Sequence, residues 1–296
     1  EKVKMSYTNN GKVDIEVYRN SSGGFHRWRN KICFGFATLT AVYLAVLYAL
    51  KESGRFLVPA DEFCVRHADT TKPCSRPDLF AFQVSSGLAL TYCAWIGSYC
   101  WYITRRAHTN IPQTPEGRLY KYLWESEKLA AVSFTFQLWD FFISLVIPEH
   151  STAIMLTHHI LAATVSWFAL NNQFLHYYGI YFLGIVEVSS IFLLFIDLAK
   201  YFPPRTDSFE EKMLNAIIGP AFVVAFFLYR VLLWIRVSLQ LWKDAYHVLQ
   251  TGKSQRYRKG KNYVLYIYLI SNVALGVLQL YWFGIILAEV KKLFSS

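Results

Sequence analysis

The stretch Thr157-His158-His159-Ile160-Leu161 lies inside a long apolar run, and how it is read decides the fold. Downstream come Asn171-Asn172 and then Val186-Glu187-Val188-Ser189-Ser190, also between apolar residues. Asp140 and Arg230 stand in similar surroundings. An Asp, Lys or Arg at the centre of a membrane helix costs about 2.5–3.5 kcal/mol on insertion scales. Ionisable side chains kept at such depth are expected to face the interior of a bundle and to serve a purpose.

Composition supports a membrane setting. Of 296 residues, 54% are hydrophobic and 17% charged, against about 25% charged in soluble domains. Twenty Tyr and nine Trp suit a chain with many membrane–water interfaces. About 17–25 mostly apolar residues cross a bilayer as a helix. By that measure seven spans are expected, at 32–50, 79–103, 129–147, 152–170, 177–196, 217–241 and 263–289. Pro148-Glu149 makes a tight hairpin of the third and fourth, and Pro203-Pro204 closes the region after the fifth. Leu119, Tyr122 and Leu123 suggest an interfacial helix before the third. The fold class expected is an all-α, polytopic membrane protein. Residues 1–78 hold the first span and a cysteine-containing loop, and residues 79–296 form a six-helix core.

The net charge of +10 lies in loops between spans. Contact with anionic headgroups explains it better than nucleic acid, which is not an expected partner. Lys and Arg number 18 in the loops on the N-terminal side and 10 in those on the other. The positive-inside rule then puts the N-terminus in the cytosol. Cys64 and Cys74, in the first loop of the opposite side, are expected to pair as a disulfide in an oxidising compartment, the alternative being two free thiols. Cys33, Cys93 and Cys100 fall in spans and are expected to pack. The sequon Asn20-Ser21-Ser22 argues for the reverse orientation. Glu1-Lys2-Val3-Lys4 opens without an apolar h-region, so no signal peptide is expected there.

Other seven-span classes fit poorly. The last span, 263–289, has no lysine for a retinal Schiff base. Asp-Arg-Tyr and Asn-Pro-x-x-Tyr receptor motifs are missing. The six histidines besides the pair are scattered, so neither a di-iron site nor a zinc site is expected.

The residues Asp140, His158-His159, Asn171-Asn172, Glu187 and Leu198-Ala199-Lys200-Tyr201 together resemble the TLC-domain family, which includes the ceramide synthases. Arg230 and Gln279-Leu280-Tyr281-Trp282 extend the resemblance over most of 79–290. It implies a role in lipid metabolism in a membrane, foremost that of the endoplasmic reticulum. In ceramide synthases the fifth span reads His-Asp-x-x-Asp. Here Glu187 stands for the first carboxylate and Ser190 for the second, and the homeobox-like insert is missing. The chain is similar in this respect to non-synthase members.

Acyl transfer to an amine or hydroxyl needs a base and a donor for the developing oxyanion. A neutral histidine suits the first role. The candidate catalytic residues are His158, His159, Glu187 and Asp140; the candidate substrate-binding residues are Gln137, Ser190, Arg230 and Trp282. Glu187 and Ser190, three apart, share a helix face, as do Gln137 and Asp140. Neighbouring residues on a helix point about 100° apart, so one histidine is expected to act while the other holds a neighbouring helix. Asp197 and Lys200 are expected at the interface. No cofactor is expected; acyl-CoA or a lipid is the candidate donor, and membrane lipids and membrane proteins are the candidate partners. Two functions stand: a TLC-type lipid acyltransferase, or a non-catalytic lipid-binding, trafficking or structural subunit. An acyl-CoA enzyme would need the His158 end of its span open to the cytosol, whereas the charge count turns that end away from it.

Overall fold

The computed structural model describes residues 2–5, 8–9, 12–13, 17–20, 23–51, 57–58, 64, 74–202, 209–257 and 259–295. Ser21 and Ser22 of the sequon and Pro203-Pro204 lie outside them.

Backbone polar groups find no water in hydrocarbon, so the chain satisfies them within helices. Twelve helices run through the described residues: α1 (Gly23–Lys51), α2 (Pro77–Ser98), α3 (Arg106–Thr109), α4 (Pro115–Tyr120), α5 (Trp124–Ser144), α6 (Ala153–Asn172), α7 (His176–Ile180), α8 (Glu187–Tyr201), α9 (Phe209–Phe226), α10 (Leu233–Gln250), α11 (Lys253–Tyr257) and α12 (Asn262–Ser295). Three spans contain a π-helical turn, at Tyr99–Ile103 after α2, Tyr181–Ile185 between α7 and α8, and Phe227–Leu232 between α9 and α10. Short antiparallel strand pairs join Lys2–Met5 to Val17–Asn20, Thr8–Asn9 to Lys12–Val13, and Leu57–Val58 to Cys74–Ser75.

Among the described residues, six helices are long and apolar enough to cross a membrane: Phe25–Lys51, Pro77–Ile103, Ala153–Asn172, His176–Tyr201, Ile217–Gln250 and Asn262–Lys292. The expected span 129–147 corresponds to α5, which falls short in composition. Glu125, Glu127, Lys128 and Asp140 dilute it. Its 21 residues still cover about 30 Å at about 1.5 Å each, and α1, α2 and α6 pack against it. Its polar residues are met by protein, so it does not need the apolar surface of a lipid-facing helix. The count of seven therefore rests on the length of α5 alone.

Local signals set the ends. Pro77 and Pro115 occupy the first turns of α2 and α4, where a missing N–H is harmless. Thr114 Oγ1 accepts from Gly117 N at 3.1 Å, and Thr152 Oγ1 from Met155 N at 3.3 Å. Gln173, at φ 57°, ends α6 in the left-handed region. The expected interfacial helix is shorter than its apolar pattern suggested. α4 stops at Tyr120, and Lys121 turns extended. Leu119 is fully buried, so this segment packs inward and not onto lipid.

The spans approach closely where side chains vanish. A Cβ on Gly97 would lie 2.5 Å from the Gly184 carbonyl carbon, so α2 meets the π turn of Tyr181–Ile185 backbone to backbone. α1 lays a face on α2, α5 and α6. Cys93 and Cys100 are buried as expected, whereas Cys33 is exposed on α1.

Charged pairs hold both ends. At the end where α1 begins, Arg118 grips Asp244 with Nε–Oδ2 2.6 Å and Nη2–Oδ1 2.7 Å, and Tyr178 OH donates to the same carboxylate. Arg27 and Tyr122 meet on Glu127 there. At the other end Cys64 and Cys74 form a disulfide. Two residues on, Arg76 bridges Asp78 at 2.9 Å and Glu149, in the turn between α5 and α6, at 2.7 Å.

Candidate functional site

An apolar cluster of Tyr43, Cys64, Leu79, Phe82, Trp139 and Tyr201 fills the disulfide end, and a larger one fills the opposite end. Between them the helices leave a cavity of about 280 Å³. Gln137, Asp140, His158, His159, Glu187, Ser190, Arg230 and Trp282 all line it. Every residue proposed from the sequence for catalysis or substrate binding thus meets at one cavity.

Arg230 is the hub. It sits in the π turn before α10, where it is buried. Its Nη2 donates to Glu187 Oε2 at 3.1 Å and to Ser190 Oγ at 2.7 Å. Its Nε donates to Ser189 Oγ at 2.7 Å and its Nη1 to Gln279 Oε1 at 3.2 Å. Ser190 Oγ donates onward to Glu187 Oε2 at 2.6 Å. Tyr181 OH donates to Tyr229 O at 2.5 Å, beside the hub and within the π turn. The carboxylate and the guanidinium neutralise each other where both are largely buried, and α8, the π turn before α10 and α12 are tied through one side chain.

The two histidines divide their work. Gln137 Oε1 accepts from His159 Nδ1 at 2.8 Å. Nε2 of His159 then faces Asp140 Oδ1 at 3.5 Å, and the two close to a hydrogen bond only with a proton between them. Ser144 Oγ donates to Asp140 Oδ1 at 2.9 Å. His159 therefore holds α6 to α5. His158 packs edge-on to Trp282, with ring centroids 5.1 Å apart. Its Nδ1 is buried without a hydrogen-bond partner among the described residues. Both rings nevertheless line the cavity, because it wraps the start of α6 and does not lie to one side of it.

Five other polar residues lining the cavity, Gln83, Ser86, His150, Ser189 and Asp197, lie outside the residues proposed from sequence. Asp197, expected at the interface, lines it and accepts from Gln83 Nε2 at 3.3 Å. Ser86 lines it too, its Oγ buried with no partner among the described residues. His150, in the turn between α5 and α6, stacks on Phe82 at 4.3 Å and meets Tyr201 OH at 3.3 Å. Lys200, by contrast, is exposed. Beyond the hub lies a smaller void of about 40 Å³, which shares Gln137, His158, Glu187 and Arg230 and adds Ser133, Asn272 and Gln279.

The wall around this polar layer is apolar, with Leu90, Phe136, Leu193, Leu194, Phe222 and Phe226. At the rim, burial pushes the Glu149 carboxyl up, but the hydrogen-bonded Arg76 guanidinium outweighs it and holds the group below the usual carboxylate range. Burial lowers His150 to about 4, against the pull of Glu149. The imidazole at the rim is therefore neutral at pH 7.

The arrangement offers imidazoles, carboxyl groups, a guanidinium and an apolar wall in one space. That suits an amphipathic ligand, with its polar end at the hub and its chain along the wall. Among curated protein sequences none matches this chain. A family model described as the TLC domain matches residues 81–288, from early α2 to late α12. The chain belongs to the TLC-domain family.

Proposed function

We propose that this TLC-domain membrane protein is a lipid acyltransferase of lipid metabolism, resident in the endoplasmic reticulum, that moves an acyl chain to an amine or hydroxyl inside the cavity. His158 is the base, since its Nδ1 is buried without a hydrogen-bond partner among the described residues, whereas His159 is held through Nδ1 by Gln137. Asp140 and Gln137 orient His159, which positions α6 and with it His158. Arg230, whose Nη1 carries a second N–H beyond the one given to Gln279, offers a donor to the developing oxyanion, while Ser189 and Ser190 accept from its Nε and Nη2 and hold the guanidinium in place. Glu187 holds Arg230, and Trp282 fixes the His158 ring. The observation that carries this reading is the meeting of His158, Glu187 and Arg230 in the polar layer of a cavity that also has an apolar wall of Leu90, Phe136, Leu193, Leu194, Phe222 and Phe226. At about 280 Å³ it comes close to the roughly 300–1,000 Å³ of small-molecule sites.

Acyl transfer by membranes carrying the protein, followed with a radiolabelled acyl donor, tests this. His158→Ala is expected to lose transfer while the protein keeps its melting temperature. Unchanged transfer in His158→Ala overturns the catalytic reading.

A second reading draws on the same hub. Arg230 is engaged by Glu187, Ser189, Ser190 and Gln279 together, and a serine stands where the synthases carry a second carboxylate. Both features favour a lipid-binding or structural subunit with membrane protein partners. Retention of a bound lipid by His158→Ala, without any transfer in the wild type, supports that reading.

A further inference from the structure

The cavity has a side. α1 ends, and α2 begins, at the Cys64–Cys74 end. The cavity residues Phe82, Gln83 and Ser86 come from the first turns of α2, and His158 and His159 from the first turns of α6. Asp140 comes from the last turns of α5 and Asp197 from the last turns of α8. All of these ends gather at the disulfide. Contacts agree: Arg76, two residues past Cys74, holds Glu149 at 2.7 Å, and the adjacent His150 lines the cavity. A disulfide persists on the oxidising side of a membrane and not in the cytosol. The excess of Lys and Arg in the loops of the opposite end puts that opposite end in the cytosol.

The charge of the cavity points the same way. Among the described residues its ionic lining is Asp140, Glu187, Asp197 and a single Arg230, already engaged by four partners. Coenzyme A is a polyanion and needs free cations, which this lining does not offer. An acyl ester of a membrane lipid brings its chain in from the leaflet and needs none.

We infer that the cavity opens toward the oxidising side of the membrane and takes its acyl group from a lipid ester of that leaflet, not from cytosolic acyl-CoA. The inference rests on the acyl-transfer reading above and names its donor. The step balances without a further reactant. The acceptor N–H or O–H gives its proton to His158 Nδ1 as its heteroatom bonds to the acyl carbon. The ester C–O bond breaks, and the imidazolium returns the proton to the leaving alkoxide, releasing a lyso-lipid alcohol.

Sealed vesicles with the cytosolic face outward test it on the full chain. Ser151→Cys and Lys292→Cys report the disulfide end and Lys259→Cys the other, each in a Cys33→Ser background and treated with a membrane-impermeant maleimide. Two diazirine probes with the same fatty acyl chain are compared, a phosphatidylcholine in the bilayer and an acyl-CoA in the medium. The expected result is labelling of Lys259→Cys at once, and of the other two only after permeabilisation. The phosphatidylcholine should cross-link peptides carrying His158 or Glu187 several-fold more than the acyl-CoA does. Labelling of Ser151→Cys and Lys292→Cys in sealed vesicles, or stronger cross-linking by acyl-CoA, overturns the sidedness and the donor but leaves acyl transfer standing. If neither probe reaches the cavity peptides, both the inference and the acyl-transfer reading fall.

Discussion

Arg230 and Glu187 form an ion pair, Nη2 to Oε2 at 3.1 Å, between two spans that share no other charged contact at this depth among the described residues. Removing one member leaves a largely buried charge without its partner, which costs about 3–5 kcal/mol. Arg230→Met should therefore destabilise the protein far more than Glu187→Gln, which keeps an acceptor for the guanidinium. The double variant should recover part of the loss. Melting temperatures of the four proteins in one detergent give the coupling; equal losses for both single variants and their sum for the double would contradict the pairing.

The rim should respond to acid. His150 titrates near 4 in the folded protein, against about 6.5 when unfolded. Between those values the unfolded chain binds a proton that the folded one refuses, so stability falls as pH drops from about 6.5 toward 4. Glu149 adds to this at lower pH. Its folded value is depressed, so its contribution is present above its unfolded value and is lost as pH falls through the folded one. Melting temperatures at pH 7.0 and 4.5 check this. His150→Phe should flatten the loss over this range, and an unchanged slope would count against a buried neutral imidazole.

The disulfide closes a loop with a sequence separation of 10. Chain-entropy arguments give about 2–3 kcal/mol for a loop of that size. Cys64→Ser/Cys74→Ser should lower the denaturation midpoint accordingly. Because Arg76 follows Cys74 closely and holds Glu149, the variant should also speed hydrogen exchange in the turn 148–152. Unchanged exchange there would separate the disulfide from the rim.

The contact of Gly97 with Gly184 leaves no room for a methyl group. Overpacking of this kind costs about 1–3 kcal/mol. Gly97→Ala should lower the melting temperature, while Gly219→Ala, where nothing lies within 4 Å of the added Cβ, should not. Equal behaviour of the two would mean the backbones can part freely.

How far the sequence could be read depended on contrast. Asp140, His158, His159, Glu187 and Arg230 stood out because charge and imidazole are rare within apolar runs, and they do converge. Asp197 lacked that contrast, lying near a span end where charge is ordinary. A face argument would have found it: Glu187, Ser190, Leu194 and Asp197 follow one helical stripe, as Gln83, Ser86 and Leu90 do on α2. α5, expected as a span, falls short in composition. Its polar residues serve packing against α1, α2 and α6, which no local count of apolar residues reveals. The bridge from Arg76 to Glu149 spans 73 positions and belongs to tertiary structure alone.

The account turns on whether the cavity between Arg230, His158 and the apolar wall holds a lipid chain. Native mass spectrometry of the detergent-purified protein, with extraction and identification of whatever co-purifies, asks this directly. Wild type should retain a single class of acyl-chain lipid. Ser86→Trp and Leu90→Trp, which fill the wall without touching the hub, should both lose it while remaining folded. An identical lipid complement in wild type and in both filled variants would contradict the account.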